Sequence, residues 1–97
     1  MLLKIGVNYS PHENLLEILK IVETIMRTNN QLMVITSLKD REHSPGSKHY
    51  IGKAVDIRNR HIKDDNLYDE IFNEIYDSIQ PIGKISDHET HWHIEAY

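Results

Sequence analysis

Asp87-His88-Glu89-Thr90-His91-Trp92-His93-Ile94-Glu95, followed by Ala96 and Tyr97, decides how the chain is read. Side chains alternate between the two faces of a strand. Taken as one strand over 89–97, the segment sets Glu89, His91, His93 and Glu95 on one face. Thr90, Trp92, Ile94 and Ala96 fall on the other, where they can pack against helices. The first face is a row of two imidazoles flanked by carboxylates. Residues 82–86 read as a strand able to pair with it as a hairpin. Residues 53–58 alternate in the same way, with Ala54, Asp56 and Arg58 on one face and Val55 and Ile57 on the other.

Two helical stripes supply what such a sheet must pack against. Leu15, Ile18, Leu19, Val22, Ile25 and Met26 recur at helical spacing, so a helix is expected over 11–28. Ser10-Pro11-His12-Glu13 supplies a start, with Ser10 as cap, Pro11 in the first turn and Glu13 completing a capping box. Asn29-Asn30 ends it. Leu67, Ile71, Phe72, Ile75 and Ile79 predict a second helix over 65–80, capped by Asp64 or Asp65. Residues 2–7 read as a short strand and 31–37 as a buried β-branched one. Residues 38–52 carry Pro45, Gly46 and Gly52 and read as loop. The expectation is a single α+β domain over residues 1–97, a small, mostly antiparallel sheet with two helices packed on one face.

Composition narrows the chemistry. With 97 residues, the chain buries roughly two-thirds of the surface it would expose unfolded, enough for one modest core. There is no cysteine, which removes disulfides and thiolate metal sites, while seven histidines are many for this length. A net charge of −4 gives no general pull toward nucleic acid or anionic membranes. The apolar run at residues 1–5 is too short for a signal peptide, and no stretch approaches the roughly 20 apolar residues of a membrane span. The chain is therefore expected to be a soluble monomer made in the cytoplasm.

Two polar clusters ask for a chemical explanation: Ser47 to Asp56, and Asp87 to Glu95. His49 and Asp56 lie an odd number apart, so a bend between them is needed to bring both to one side, and Gly52 offers a bend or a close backbone approach. With the bend, the pair can meet one histidine of the last strand. Two His and one Asp leave a zinc ion one open position for water, the layout of a catalytic rather than a structural site. Zinc brings that water's pKa down to about 7, and a nearby carboxylate can carry its proton to a leaving amine.

Ser47-x-His49-x-x-Gly52-x-Ala54-x-Asp56, with His91-x-His93 near the end, resembles the LAS zinc metallopeptidases. These include D-alanyl-D-alanine carboxypeptidases and phage L-alanyl-D-glutamate endopeptidases, and share a fold with the zinc domain of Hedgehog proteins. Ile35-Thr36-Ser37 and Ala54-Val55-Asp56-Ile57-Arg58 look most like the compact, phage-type members. The resemblance implies a Zn2+ cofactor on His49, Asp56 and His93, with His91 stabilising the oxyanion. The acid/base is Asp87 or Glu89, because Thr90 holds the position used by other branches and cannot serve. Arg41 and Ser47 become candidates for substrate binding. The implied substrate is a peptidoglycan peptide, reached by phage lysis or from a virion. A zinc amidase with another substrate, and an inactive zinc-binding module, are the alternatives. Arg58 and Arg60 read as a solvated sheet edge rather than a carboxylate-binding pair. Trp92 reads as packing, and His12, His43, His61 and His88 as surface residues.

Overall fold

Pro11 precedes the first helix rather than opening it. The computed structural model describes residues 1–38 and 51–97, and in it helix α1 spans Glu13–Thr28. Its N-cap is His12, not Ser10. The extended His12 backbone turns its imidazole Nδ1 to accept from the Asn14 N–H at 3.1 Å. The entry point is set by Gly52, whose carbonyl accepts the His12 N–H at 2.8 Å. Gly52 has φ +72°, and a β-carbon there would lie 2.5 Å from the Ser10 carbonyl oxygen and 2.9 Å from the His12 nitrogen. The glycine thus serves close backbone approach between the helix start and the segment entering the next strand. The other end matches expectation. Asn29 Nδ2 donates to the Ile25 carbonyl at 2.8 Å, and Asn30 takes the left-handed conformation at φ 57°.

Among the described residues five strands form one sheet: β1 (Leu2–Leu3), β2 (Val34–Ser37), β3 (Ala54–Arg58), β4 (Gly83–His88) and β5 (His91–Ala96). The spatial order is β1-β2-β3-β5-β4. Only β1 and β2 run parallel, and the other three pairings are antiparallel. The strand expected over 2–7 is cut to two residues by a turn at Ile5–Gly6, where Gly6 takes φ +92° and the Val7 N–H returns to the Lys4 carbonyl at 3.2 Å. Helix α2 spans Asp65–Ile79, with the Asp64 carboxylate accepting from the Asn66 and Leu67 N–H groups at 2.9 and 3.1 Å. No helix among the described residues is long and apolar enough to cross a membrane.

Both helices lie on one face of the sheet, as the apolar stripes require. Leu15, Ile18, Val22 and Met26 of α1 and Ile71, Ile75 and Ile79 of α2 close over Ile35, Val55, Ile57, Ile85, Trp92 and Ile94. These alternate with polar residues along each strand, so burying one set leaves the other on the face away from the helices, called the open face for that reason alone. The cross-strand pairs there are Asp56↔His93, Arg58↔His91, Lys84↔Glu95, Ser86↔His93 and His88↔His91. The α+β class with an antiparallel-dominated sheet and one helical layer is what the sequence pattern implies.

Under α2 the core contains a polar knot. Trp92 is fully buried, edge-on to Tyr68 and Phe72 with ring centroids 5.1 and 5.9 Å away. Its indole N–H donates to the Tyr68 hydroxyl at 3.1 Å, and that hydroxyl donates to Asp87 Oδ1 at 2.6 Å. Asn59, only 1% exposed, donates to the same hydroxyl at 2.7 Å and to the His88 carbonyl at 3.1 Å. Burial, and then donation to Asp87, push the Tyr68 hydroxyl up to about 12, which keeps it a donor across the neutral range.

Candidate functional site

The open face of the sheet carries a ladder of charges. Glu95 Oε2 lies 3.6 Å from Lys84 Nζ, and its Oε1 accepts from His93 Nε2 at 2.9 Å. His93 Nδ1 donates to Asp56 Oδ1 at 2.8 Å, and Asp56 Oδ2 stands 3.9 Å from His91 Nε2. Each step is a cross-strand or same-face neighbour, so β-sheet register alone builds the row. His93 lies between two carboxylates, one beside each of its ring nitrogens, an arrangement that favours its protonated form. The hydrogen bond to Asp56 raises its pKa from the ordinary histidine value. Partial burial works against this, and the bond to Glu95 adds to the rise.

A group whose folded-state pKa is raised stabilises the fold most where the unfolded state is also protonated. The His93 contribution is therefore complete below the ordinary histidine pKa of about 6.5 and is lost as pH climbs through the raised folded-state value. Urea unfolding at pH 6 and pH 8.5 should show a loss of stability in the wild type that shrinks in His93→Gln. Equal pH dependence in the two proteins would mean that the ladder does not titrate as a unit.

His91 occupies the edge of this row. Its Nδ1 is 3.2 Å from the Thr90 hydroxyl, and its ring stacks on His88 at 5.0 Å and 6°. His91 and Asp56 line one wall of a pocket of about 260 Å³, whose other walls are Lys4, Thr36, Arg58, Arg60 and Thr90. Thr36 is brought there by an irregularity in β2: Ile35 pairs with Ile57 and Ser37 with Asp56, leaving one extra residue between. Its hydroxyl donates to the Asp56 carbonyl at 3.3 Å. Lys4 follows β1, Arg58 ends β3 and Arg60 sits in the turn beyond it. None of these three cations forms an ion pair among the described residues, and the Arg58 Nε is buried without a hydrogen-bond partner.

The sequence-derived site residues scatter relative to this pocket. Asp56, His91 and His93 come together. Asp87 pairs with Trp92 across the hairpin and points with it to the helical side, into the Tyr68–Asn59 knot. Glu89 falls in the two-residue turn between β4 and β5, exposed and without a partner among the described residues. Arg41, Ser47 and His49 lie outside the described residues. Lys4 was not singled out by the sequence, and Arg58, half-buried, and Arg60, exposed as the sequence suggested, both line the pocket. A hint was available in Asp56-x-Arg58-x-Arg60, which alternates like the strand.

The zinc expectation is corrected by the donor arrangement. Among the described residues no group of three or more His, Asp or Glu side chains is placed to hold a metal ion. The two ligands that do meet, Asp56 and His93, meet each other. The ring nitrogens of His93 both point at carboxylates, so neither offers a lone pair to a cation. The chain matches no protein-family model, no curated protein and no solved structure. The assignment to the LAS zinc peptidases and their Hedgehog-like fold, the Zn2+ cofactor and the metal-activated hydrolysis of cell-wall peptides are all corrected on these findings. The zinc amidase and the inactive zinc module fall with the same cofactor.

Proposed function

We propose that this domain binds a small anionic ligand in the pocket at the open face of its sheet. The observation that carries the reading is the convergence of Lys4, Arg58 and Arg60 on one pocket in a chain of net charge −4. Holding three cations together is unfavourable unless a negative charge joins them. The one carboxylate among the described lining residues, Asp56, is already engaged by the His93 ring at 2.8 Å. The cations are left for something from outside. Concave polar walls with a few convergent donors are what orient a small ligand.

Inorganic phosphate is the simplest probe. Titrated into 15N-labelled protein, it should move the amide signals of Lys4, Thr36, Arg58, Arg60, Thr90 and His91 together. A hydrogen bond to a charged group contributes about 1.5–3 kcal/mol, roughly tenfold or more in affinity. Arg58→Gln with Arg60→Gln should therefore weaken binding at least about tenfold, and Lys4→Gln, at the sheet edge, should do so by less. Shifts scattered over the surface, or binding indifferent to these variants, would overturn the reading.

His91 gives the site a second capacity. It is the only imidazole among the described lining residues, and its Nε2 lies 3.9 Å from Asp56 Oδ2. Depending on its tautomer, its ring can donate a hydrogen bond to a bound ligand or accept one from it.

A further inference from the structure

Resting on the anion-binding reading, we infer that the ligand is the phosphate monoester of a small hydroxylated molecule. Four features of the pocket lead there: charge, donor directions, size and lining.

Charge comes first. With Asp56 engaged by the His93 ring at 2.8 Å, the cations Lys4, Arg58 and Arg60 remain in the lining, none of them in an ion pair among the described residues. One carboxylate leaves most of that charge unmatched, whereas a phosphate monoester carries about −1.5 to −2 at neutral pH. Direction follows. A carboxylate has two coplanar oxygens, which a single guanidinium can cover in a bidentate fork. Here the donors arrive from separate segments: Lys4 beyond β1, Thr36 on β2, Arg58 on β3, Arg60 in the turn after it and Thr90 in the hairpin turn. Donors spread in this way suit a tetrahedral group with three terminal oxygens. The buried, unpartnered Nε of Arg58 adds a donor that a bound oxygen would satisfy.

Size and lining set the rest of the molecule. About 260 Å³ exceeds what a bare phosphate fills and falls just under the roughly 300–1,000 Å³ of sites for drug-sized ligands. The organic part is therefore short. Among the described residues no apolar or aromatic side chain lines the pocket, so a nucleobase or acyl chain would meet polar walls there. Hydroxyl groups, by contrast, can pair with Thr36, Thr90 and His91.

Calorimetric titration at pH 7.5 with glycerol 3-phosphate, inorganic phosphate, phenyl phosphate, succinate and a short single-stranded DNA tests this. Glycerol 3-phosphate should bind at least about tenfold tighter than succinate, and tighter than inorganic or phenyl phosphate. Thr90→Val should weaken glycerol 3-phosphate while leaving inorganic phosphate nearly unchanged, a separation that general misfolding cannot produce. If succinate binds as well as glycerol 3-phosphate, the phosphate inference fails and the anion site stands. If phenyl phosphate binds tighter, the hydroxylated ester is wrong. If the DNA binds tightest, the small-molecule ligand is wrong. If none of the probes binds, both the inference and the anion-binding reading are overturned.

Discussion

Trp92→Ala should cost about 3–5 kcal/mol of folding stability, the range for removing a buried aromatic side chain from a core. Trp92 is fully buried at the centre of β5, beneath α2. Truncation removes its contacts with Tyr68 and Phe72 and opens a void the size of an indole. It also deletes the donor to the Tyr68 hydroxyl, which is left with only Asn59 donating to it. For small proteins the urea m-value is about 1–3 kcal/mol/M, so the unfolding midpoint should fall by roughly 1 M or more. Trp92 is the only tryptophan in the chain, so far-UV circular dichroism must replace fluorescence as the probe. A midpoint within about 0.5 M of wild type would show that the sheet and α2 do not depend on this side chain.

Gly52→Ala is expected to be the second most damaging change, by a different route. A non-glycine residue at φ +72° pays roughly 1–2 kcal/mol for the left-handed backbone. The new β-carbon also meets backbone atoms of Ser10 and His12, which cannot rotate away as a side-chain tip can. To make room, the start of α1 must move off Gly52, stretching the bond from the His12 N–H. Gly6→Ala is the natural control. Gly6 has φ +92°, but nothing lies within 4 Å of its β-carbon position, so it carries the conformational term alone. In a domain of this size 1 kcal/mol shifts Tm by about 4–8 °C. Gly52→Ala should lower Tm by about 10 °C or more and Gly6→Ala by clearly less. Equal losses would remove the close approach at Gly52 from the account.

The elements were legible where local periodicity is also the packing rule. The stripe of α2, an aspartate cap at 64 or 65 and the alternation of β3 all follow from neighbours within a few residues; the structure places the cap at Asp64. The start of α1 was misplaced because its position depends on Gly52, about 40 residues away, which no capping pattern can encode. Asp87 shows the same limit in the site. Counted along one continuous strand, residues 87, 91 and 93 share a face. A two-residue turn intervenes, His88 pairs with His91, and parity inverts, so Asp87 joins Trp92 on the helical side. The polar row itself was legible, since Asp56, His91 and His93 do meet. Its chemistry was not. The residue types that ligate zinc also build a carboxylate–imidazole–carboxylate ladder, and only side-chain geometry separates the two. The cationic pocket was hidden for a further reason: Lys4 reaches Arg58 only through the antiparallel pairing of β3 with β2 and the parallel pairing of β2 with β1.

That pairing is two residues long. Beyond Leu2 and Leu3, β1 is tied down by the Leu2 N–H to the Met33 carbonyl at 2.8 Å and the Lys4 N–H to the Ile35 carbonyl at 2.9 Å. Both of its residues are exposed, and Ile5 beyond them is almost wholly so. With so little apolar surface buried, this edge belongs to the part of the structure that opens at the smallest free-energy cost, well before the core strands let go. The pocket therefore joins two kinds of support. Arg58 and His91 stand on the central strands, which open only with the whole domain, while Lys4 rides on a segment with its own local opening equilibrium. A ligand that engages Lys4 draws that segment toward its closed form, and part of its binding free energy is spent on ordering the edge of the sheet.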